Sequence, residues 1–240
     1  MYKNVSNVEI DFNSLFNYFA LLSNDKLIDS KFLENELIRD MGLYLYHRPN
    51  YVGGFGLRLW QYPYQFSRFI NFLSGYSKFI NSYLEIGVWY GGTFILMCEI
   101  LRKLSVGFNR AVAVDVSIKD DNLGRYCELR DFSFRLNDSL SSEFRDYISG
   151  EFFDLVFIDG FHSLEAVSND ADLTRDRCNI QVFHDIKNFG CFDVMSFWED
   201  YKVRHSSSHL FFEFYERDGT LSEFYGDLGI GVCVRKVWLK

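Results

Sequence analysis

"SYLEIGVWYGGTF", Ser82 to Phe94, decides the fold of this chain. A short apolar, β-prone run ends at Gly87, Gly91 and Gly92 follow at once, and a helical apolar pattern opens at Thr93. A glycine directly after a strand marks backbone that must come close to something, and the candidates are a helix, another strand or a ligand. Glu85, two residues ahead of the first glycine, puts a carboxylate beside that loop.

Working outward, short β-rich runs alternate with helical patterns, the signature of a parallel sheet wrapped by helices on both faces. The strands read as "YLEI" from Tyr83, "AVAVD" from Ala111, "FSFRL" from Phe132, "DLVFID" from Asp154, "IQVFHD" from Ile180, "LFFEFYE" from Leu210 and "IGVCVRK" from Ile230. Helices are expected over Thr93 to Lys103, Asp121 to Arg130, Ser141 to Ile148, Ser163 to Leu173 and Cys191 to Lys202. Ser163 suits an N-cap, although Ala166 stands where a capping box needs an acid or amide. "DGTLSEFYGDLG", from Asp218, is too short to carry a crossover helix, so the last two strands form an antiparallel pair. The expected fold class is therefore α/β: a Rossmann-like, seven-stranded, mostly parallel sheet with an antiparallel last strand.

Residues 1–80 show no strand pattern. "DFNSLFNYFALL" from Asp11, "KFLENELIRDMGLYLYH" from Lys31 and "PYQFSRFINFLSGY" from Pro63 read as helices, the last opening on the proline that suits a first turn. We take 1–80 as a helical cap and 81–240 as the sheet domain. The loop Arg48 to Tyr62 holds Gly53, Gly54 and Gly56 and ends in Trp60 and Gln61, either a hinged lid or an aromatic packed on the sheet edge.

With 240 residues the chain suits one sizeable core, and aromatics at 19% make that core rich in rings. A net charge of -8 with no Lys/Arg cluster argues against a nucleic-acid partner. Cys98, Cys127, Cys178, Cys191 and Cys233 lie far apart with no C-x-x-C pair, which suits reduced thiols in the cytoplasm rather than a disulfide framework. Glu9 and Asp11 stand where a signal peptide needs a basic then apolar run, and no stretch is long and apolar enough to span a membrane. Self-association into a homo-oligomer is left open.

In an open parallel sheet, ligands bind at the carboxyl ends of the strands near the point where strand order reverses. Gly87, Asp115, Asp138, Asp159 and Asp185 fall at those ends and define one rim. A dinucleotide loop wants bare backbone where Trp89 stands, so a pyrophosphate is disfavoured. Asp115 lies where an acid can accept both hydroxyls of a ribose. The glycines are thus expected to admit a cofactor with an amino-acid end and no phosphate.

"YLEIGVWYGGT", "AVAVD", "LNDS", "FDLVFIDGFHSLEAVSNDADL" and "QVFHDI" resemble, in order, the motifs of class I S-adenosylmethionine-dependent methyltransferases, and most of all the macrocin O-methyltransferase and cephalosporin-hydroxylase-like group. The resemblance runs from Ser82 to about Lys236. It implies that Glu85, Gly87, Gly91 and Thr93 contact the methionine end of S-adenosylmethionine, Asp115 the ribose, and Asp138 with Ser139 the adenine, Asp159 also bordering the cofactor. It implies methyl transfer to a hydroxyl on a small molecule or sugar, with Asp159, His162 and Asp185 as catalytic residues. Macrocin-type relatives bind Mg²⁺ with an Asp after the fourth strand and an Asp-Asp pair after the fifth. Here the corresponding set is Asp159, His184 and Asp185; carboxylates suit Mg²⁺, whereas histidines admit Mn²⁺, Fe²⁺ or Zn²⁺. Each histidine also has a plain reading as a hydrogen-bonded structural residue. Two other functional classes stay open: a cofactor-binding module without catalysis, and a metal-dependent hydroxylase.

Overall fold

A computed structural model describes residues 9–43, 53–215 and 228–239. Its strands are β1 (Ser82–Ile86), β2 (Arg110–Asp115), β3 (Ser133–Leu136), β4 (Phe153–Ile158), β5 (Cys178–His184), β6 (His209–Phe214) and β7 (Ile230–Arg235). They make one seven-stranded sheet in the order β3-β2-β1-β4-β5-β7-β6. The first five are parallel, while β7 runs antiparallel to both β5 and β6, as the short final connection requires. Most of that connection, like Arg48 to Val52 of the glycine-rich loop, lies outside the described residues.

Before the sheet come α1 (Phe12–Leu21), α2 (Asn24–Leu27), α3 (Ser30–Phe32), α4 (Ile38–Met41) and α5 (Pro63–Ser74). A π-helical turn over Leu33–Leu37 joins α3 to α4. The long helix expected from Lys31 to His47 stops at Met41: Gly42 turns with φ 102°, and Leu43 then bridges to Leu59. A side chain at 42 would sit 2.5 Å from the Gly53 carbonyl oxygen, so only glycine fits that stop. The rest of the expected helix, 44–47, lies outside the described residues.

Between the strands lie α6 (Gly92–Leu104), α7 (Asn122–Arg130), α8 (Ser142–Ser149), α9 (Leu164–Arg175) and α10 (Phe192–His205). Ser163 caps α9 as its position suggested, its Oγ accepting from the Ala166 N–H at 3.2 Å. Side chains alternate across each strand. Tyr83, Ala113 and Phe157 therefore join the N-terminal helices, α6 and α7 in one buried cluster, while Ile86, Val114 and Ile158 join α8, α9 and α10 in the other. Covering both faces explains why the central strands are apolar throughout rather than alternating. The N-terminal helices share their core with the sheet instead of standing apart from it.

This topology fixes the site. β1 pairs with β2 on one side and β4 on the other, so strand order reverses there. The ladder runs one residue past the strand ends: Gly87 N–H donates to Val114 C=O and Asp159 N–H to Ile86 C=O, each at 2.8 Å. Gly87 and Asp159 are thereby held side by side at the switch point.

Candidate active site

The glycines face protein. Gly87 has φ 85°, and a Cβ there would lie 2.1 Å from the Asp159 carbonyl oxygen and 2.5 Å from Gly160 Cα. A Cβ at Gly91 would meet Leu123 of α7 at 2.8 Å, and one at Gly92 the Leu57 carbonyl oxygen at 2.1 Å. Each of these residues thus has a packing reason to be glycine, because a strand end, a helix and a loop press against it.

Gly87 nonetheless borders a cavity of about 430 Å³, with Trp60, Asp159, His162, His184 and Asp185 among its other walls. That is the size of a small-molecule site. Trp60 is both packed and part of the wall, its ring edge-on to Trp89 with centroids 5.4 Å apart. Trp89 itself adopts φ 50°, a conformation a bulky residue takes at a cost of about 1–3 kcal/mol. Its N–H donates to Asp115 Oδ2 at 2.8 Å, and this bond together with the ring contacts holds the strained loop. A second cavity, about 410 Å³, lies beyond Trp89, between Tyr90, Ser117, Leu123 and Phe134.

At the first cavity two histidines and two aspartates meet. His184 Nδ1 is 3.3 Å from Asp159 Oδ1 and 3.1 Å from Asp185 Oδ2. His162 Nε2 is 3.5 Å and 3.2 Å from the same two oxygens. Successive strand residues point to opposite faces, yet His184 and Asp185 both reach this spot, because Asp185 turns into the left-handed region at φ 62°. Asn188 Nδ2 donates to the other carboxylate oxygen, Asp185 Oδ1, at 2.6 Å and fixes the plane of the group. Cys191 Sγ stands 3.2 Å from His162 Nδ1.

The other expected residues are placed differently. Glu85 is buried beneath the loop on the Tyr83 hydroxyl, and burial holds its carboxyl well above the usual range. Asp115 closes β2 and accepts from Trp89 N–H and from the Ser117 N–H and hydroxyl. Asp138 Oδ1 accepts from Leu140 N–H, the Ser139 carbonyl accepts from Asn169 Nδ2, and Thr93 is buried in the first turn of α6. None of these five lines the cavity at Asp159. Trp89, Asn188 and Cys191 border it without having been singled out as site residues. Asn188 and Cys191 share the turn that follows Asp185, but nothing in their spacing marks them as site residues.

Electrostatics bind the cluster together. The hydrogen bond to Asp159 and the contact with Cys191 raise the His162 pKa to about 10, against some burial. Burial opposes charge on His184, but Asp159 and Asp185 prevail and raise its pKa well above the usual value. Despite burial, the two histidines hold the Asp159 carboxyl well below its usual range. A raised histidine contributes stability that is complete below its unfolded value of 6.5 and lost as pH rises through about 10. The Asp170 carboxyl, pushed up to about 6 by burial, contributes stability that is already lost by pH 7. Thermal melts in EDTA are therefore expected to fall steadily from pH 7 to pH 10. A melting temperature that holds or rises over that range would contradict these protonation states.

The same donor atoms fit a divalent cation. Asp159, His184 and Asp185 each offer a ligand atom within 4.8 Å of the others, as do His162, Asp185 and Cys191. Two carboxylates so close repel unless positive charge lies between them.

Residues 84–186 match the family model described as a methyltransferase domain. Over that segment the chain is similar to a methyltransferase domain. Solved structures similar in fold to the chain include two methyltransferases. An O-methyltransferase from Bacillus cereus in complex with SAH is 14% identical, with a TM-score of 0.54, over 93% of this chain and 97% of that one. MycE from the mycinamycin biosynthetic pathway, in complex with Mg, SAH and mycinamycin VI, is 14% identical with a TM-score of 0.51 over 72% of this chain and 49% of its own. At that identity the likeness is one of fold. A comparison with curated proteins returned no match. No described helix is long and apolar enough to cross a membrane. The β1/β4 switch point thus puts the Asp159 cluster where open parallel sheets bind their ligands.

Proposed function

We propose that the protein transfers a methyl group from S-adenosylmethionine to a hydroxyl on a small molecule or sugar, assisted by a divalent cation such as Mg²⁺. The observation that carries this reading is the cluster of Asp159, His162, His184 and Asp185 on a cavity at the switch point of a methyltransferase domain. The O-methyltransferases similar in fold support it.

S-adenosylmethionine, when bound, supplies an electrophilic methyl group on its sulfonium. Backbone at Gly87 borders the space for its amino-acid end, and Asp115 offers carboxylate oxygens to a ribose. Trp60 and Trp89 keep water from one wall. Phe161, Phe189 and Phe192, next in sequence to His162, Asn188 and Cys191, are exposed rings available to an acceptor. Holding the acceptor oxygen in line with the methyl group contributes several kcal/mol to lowering the barrier.

The acceptor must also lose its proton. A histidine base needs its neutral form, but the hydrogen bond to Asp159 and the contact with Cys191 hold the proton on His162 up to about pH 10. Metal assistance is therefore the better supported route: Asp159, His184 and Asp185 would hold a divalent cation, whose charge favours the deprotonated form of a neighbouring hydroxyl. His184 would hold such an ion through Nδ1, which would then carry no proton. The five cysteines are all unpaired and buried, which supports a reducing, cytoplasmic setting.

Calorimetry is expected to show S-adenosylhomocysteine binding and no NAD binding. Asp115→Ala should weaken the former about ten- to a hundredfold, the worth of charge-assisted hydrogen bonds to two hydroxyls. Unchanged affinity would remove Asp115 from the site. Turnover that demands iron, oxygen and a reductant would replace methyl transfer with hydroxylation.

A further inference from the structure

The cluster holds one donor more than the three-residue set named above. His162 faces the same two oxygens as His184, so Asp159 Oδ1 and Asp185 Oδ2 alternate with His162 Nε2 and His184 Nδ1 around a closed ring of four contacts, 3.1 to 3.5 Å long. Four ligands held tetrahedrally at about 2.1 Å from an ion stand about 3.4 Å apart, whereas neighbouring ligands of an octahedral ion at that distance stand about 3.0 Å apart. The observed contacts match the spacing of neighbouring ligands around one ion.

We propose that His162 is a metal ligand, completing a set of two imidazole nitrogens and two carboxylate oxygens, and that this set takes a borderline transition ion of the zinc and cobalt class in preference to magnesium. This deepens the reading of a cation-assisted transferase and rests on it for the presence of an ion. Magnesium demands oxygen and keeps its waters, while imidazole suits zinc, cobalt and iron.

The surroundings of each ring agree. A ligating imidazole donates its other N–H to a neighbour that fixes the tautomer. For His162 that neighbour is Cys191, whose sulfur is 3.2 Å from Nδ1, leaving Nε2 to face the oxygens. Nε2 is then the His162 atom that would meet a cation held by the two carboxylate oxygens. His184 is buried, its Nε2 has no partner among the described residues, and its Nδ1 is the atom that faces the two oxygens. Asn188, bonded to Asp185 Oδ1, turns Oδ2 toward both rings.

The test titrates the full chain, stripped with a chelator, with Co²⁺, Zn²⁺ and Mg²⁺ in turn, following heat and the visible ligand-field bands of cobalt. We expect one Co²⁺ per chain with the intense bands of a four-coordinate site, and Mg²⁺ at least a hundredfold weaker. His162→Ala should convert the cobalt spectrum to the faint bands of a six-coordinate, water-rich ion. Cys191→Ala should weaken Co²⁺ about ten- to a hundredfold, as loss of an outer partner does, and Cys191→Ser should restore it. Mg²⁺ binding as tightly as Co²⁺, no Co²⁺ binding, or an unchanged spectrum in His162→Ala would each overturn the proposal. So would a thiolate-to-cobalt band that disappears in Cys191→Ser, since sulfur would then be a ligand itself. S-adenosylhomocysteine titrated into the same sample separates the two readings. Its binding without cobalt sinks the ion site alone; cobalt binding without it sinks methyl transfer alone.

Discussion

Gly87→Val is expected to prevent folding, and to lose ligand binding only as a consequence. The added side chain would start 2.1 Å from a backbone oxygen and 2.5 Å from Gly160 Cα, neither of which can swing aside as a flexible side chain could. A β-branched residue at φ 85° carries backbone strain as well. Strain and overpacking together amount to about 4 kcal/mol or more, most of the stability of a typical domain. Gly124 supplies the control: it lies within α7, nothing stands within 4 Å of where its Cβ would be, and its φ is not positive. Gly124→Ala should therefore gain about 0.5–1 kcal/mol through helix propensity. Urea denaturation of both variants decides the matter. If Gly87→Val melts cooperatively near the parent and has lost only S-adenosylhomocysteine, the glycine serves the ligand after all.

That difference shows how far the sequence reaches. The apolar runs, their spacing and the short last connection were enough for the sheet, because burial on both faces forces continuous apolar strands and a short link forbids a crossover. Asp159, His162, His184 and Asp185 were legible as a group because parallel strands bring their carboxyl ends to one edge. What each residue faces was not legible. Gly87 reads the same whether a ligand or the backbone of Asp159 fills the space beside it. Nothing in "FHDI" announces that Asp185 leaves the strand conformation and brings its side chain round to join His184. Nor does the sequence tell that Cys191, six positions on, returns to His162, since that contact depends on two loops meeting. The end of the helix at Met41 was hidden in the same way: the 31–47 pattern is helical throughout, and the Gly42 turn is set by its approach to Gly53.

Asp185→Asn is expected to lower methyl transfer by about 10² to 10⁴ while leaving the fold and S-adenosylhomocysteine affinity nearly unchanged. Asparagine tolerates the left-handed conformation that position 185 requires. Its carbonyl oxygen can keep the bond from Asn188 Nδ2 in place of Asp185 Oδ1. The amide then turns its NH₂ toward His184 Nδ1 and His162 Nε2, now 3.1 Å and 3.2 Å from the aspartate oxygen it replaces. Neutral imidazoles accept those bonds, so the variant exchanges two charge pairs for two ordinary hydrogen bonds and should stay within about 1 kcal/mol of the parent. With one carboxylate gone, both histidines release their protons more readily. The loss of stability expected between pH 7 and pH 10 in EDTA should accordingly flatten. A cation loses a charged ligand and meets an N–H donor instead, so no added metal should rescue turnover. Parental turnover on an accepted hydroxyl substrate, in a variant with the flattened pH profile, would place the reacting atoms away from this rim.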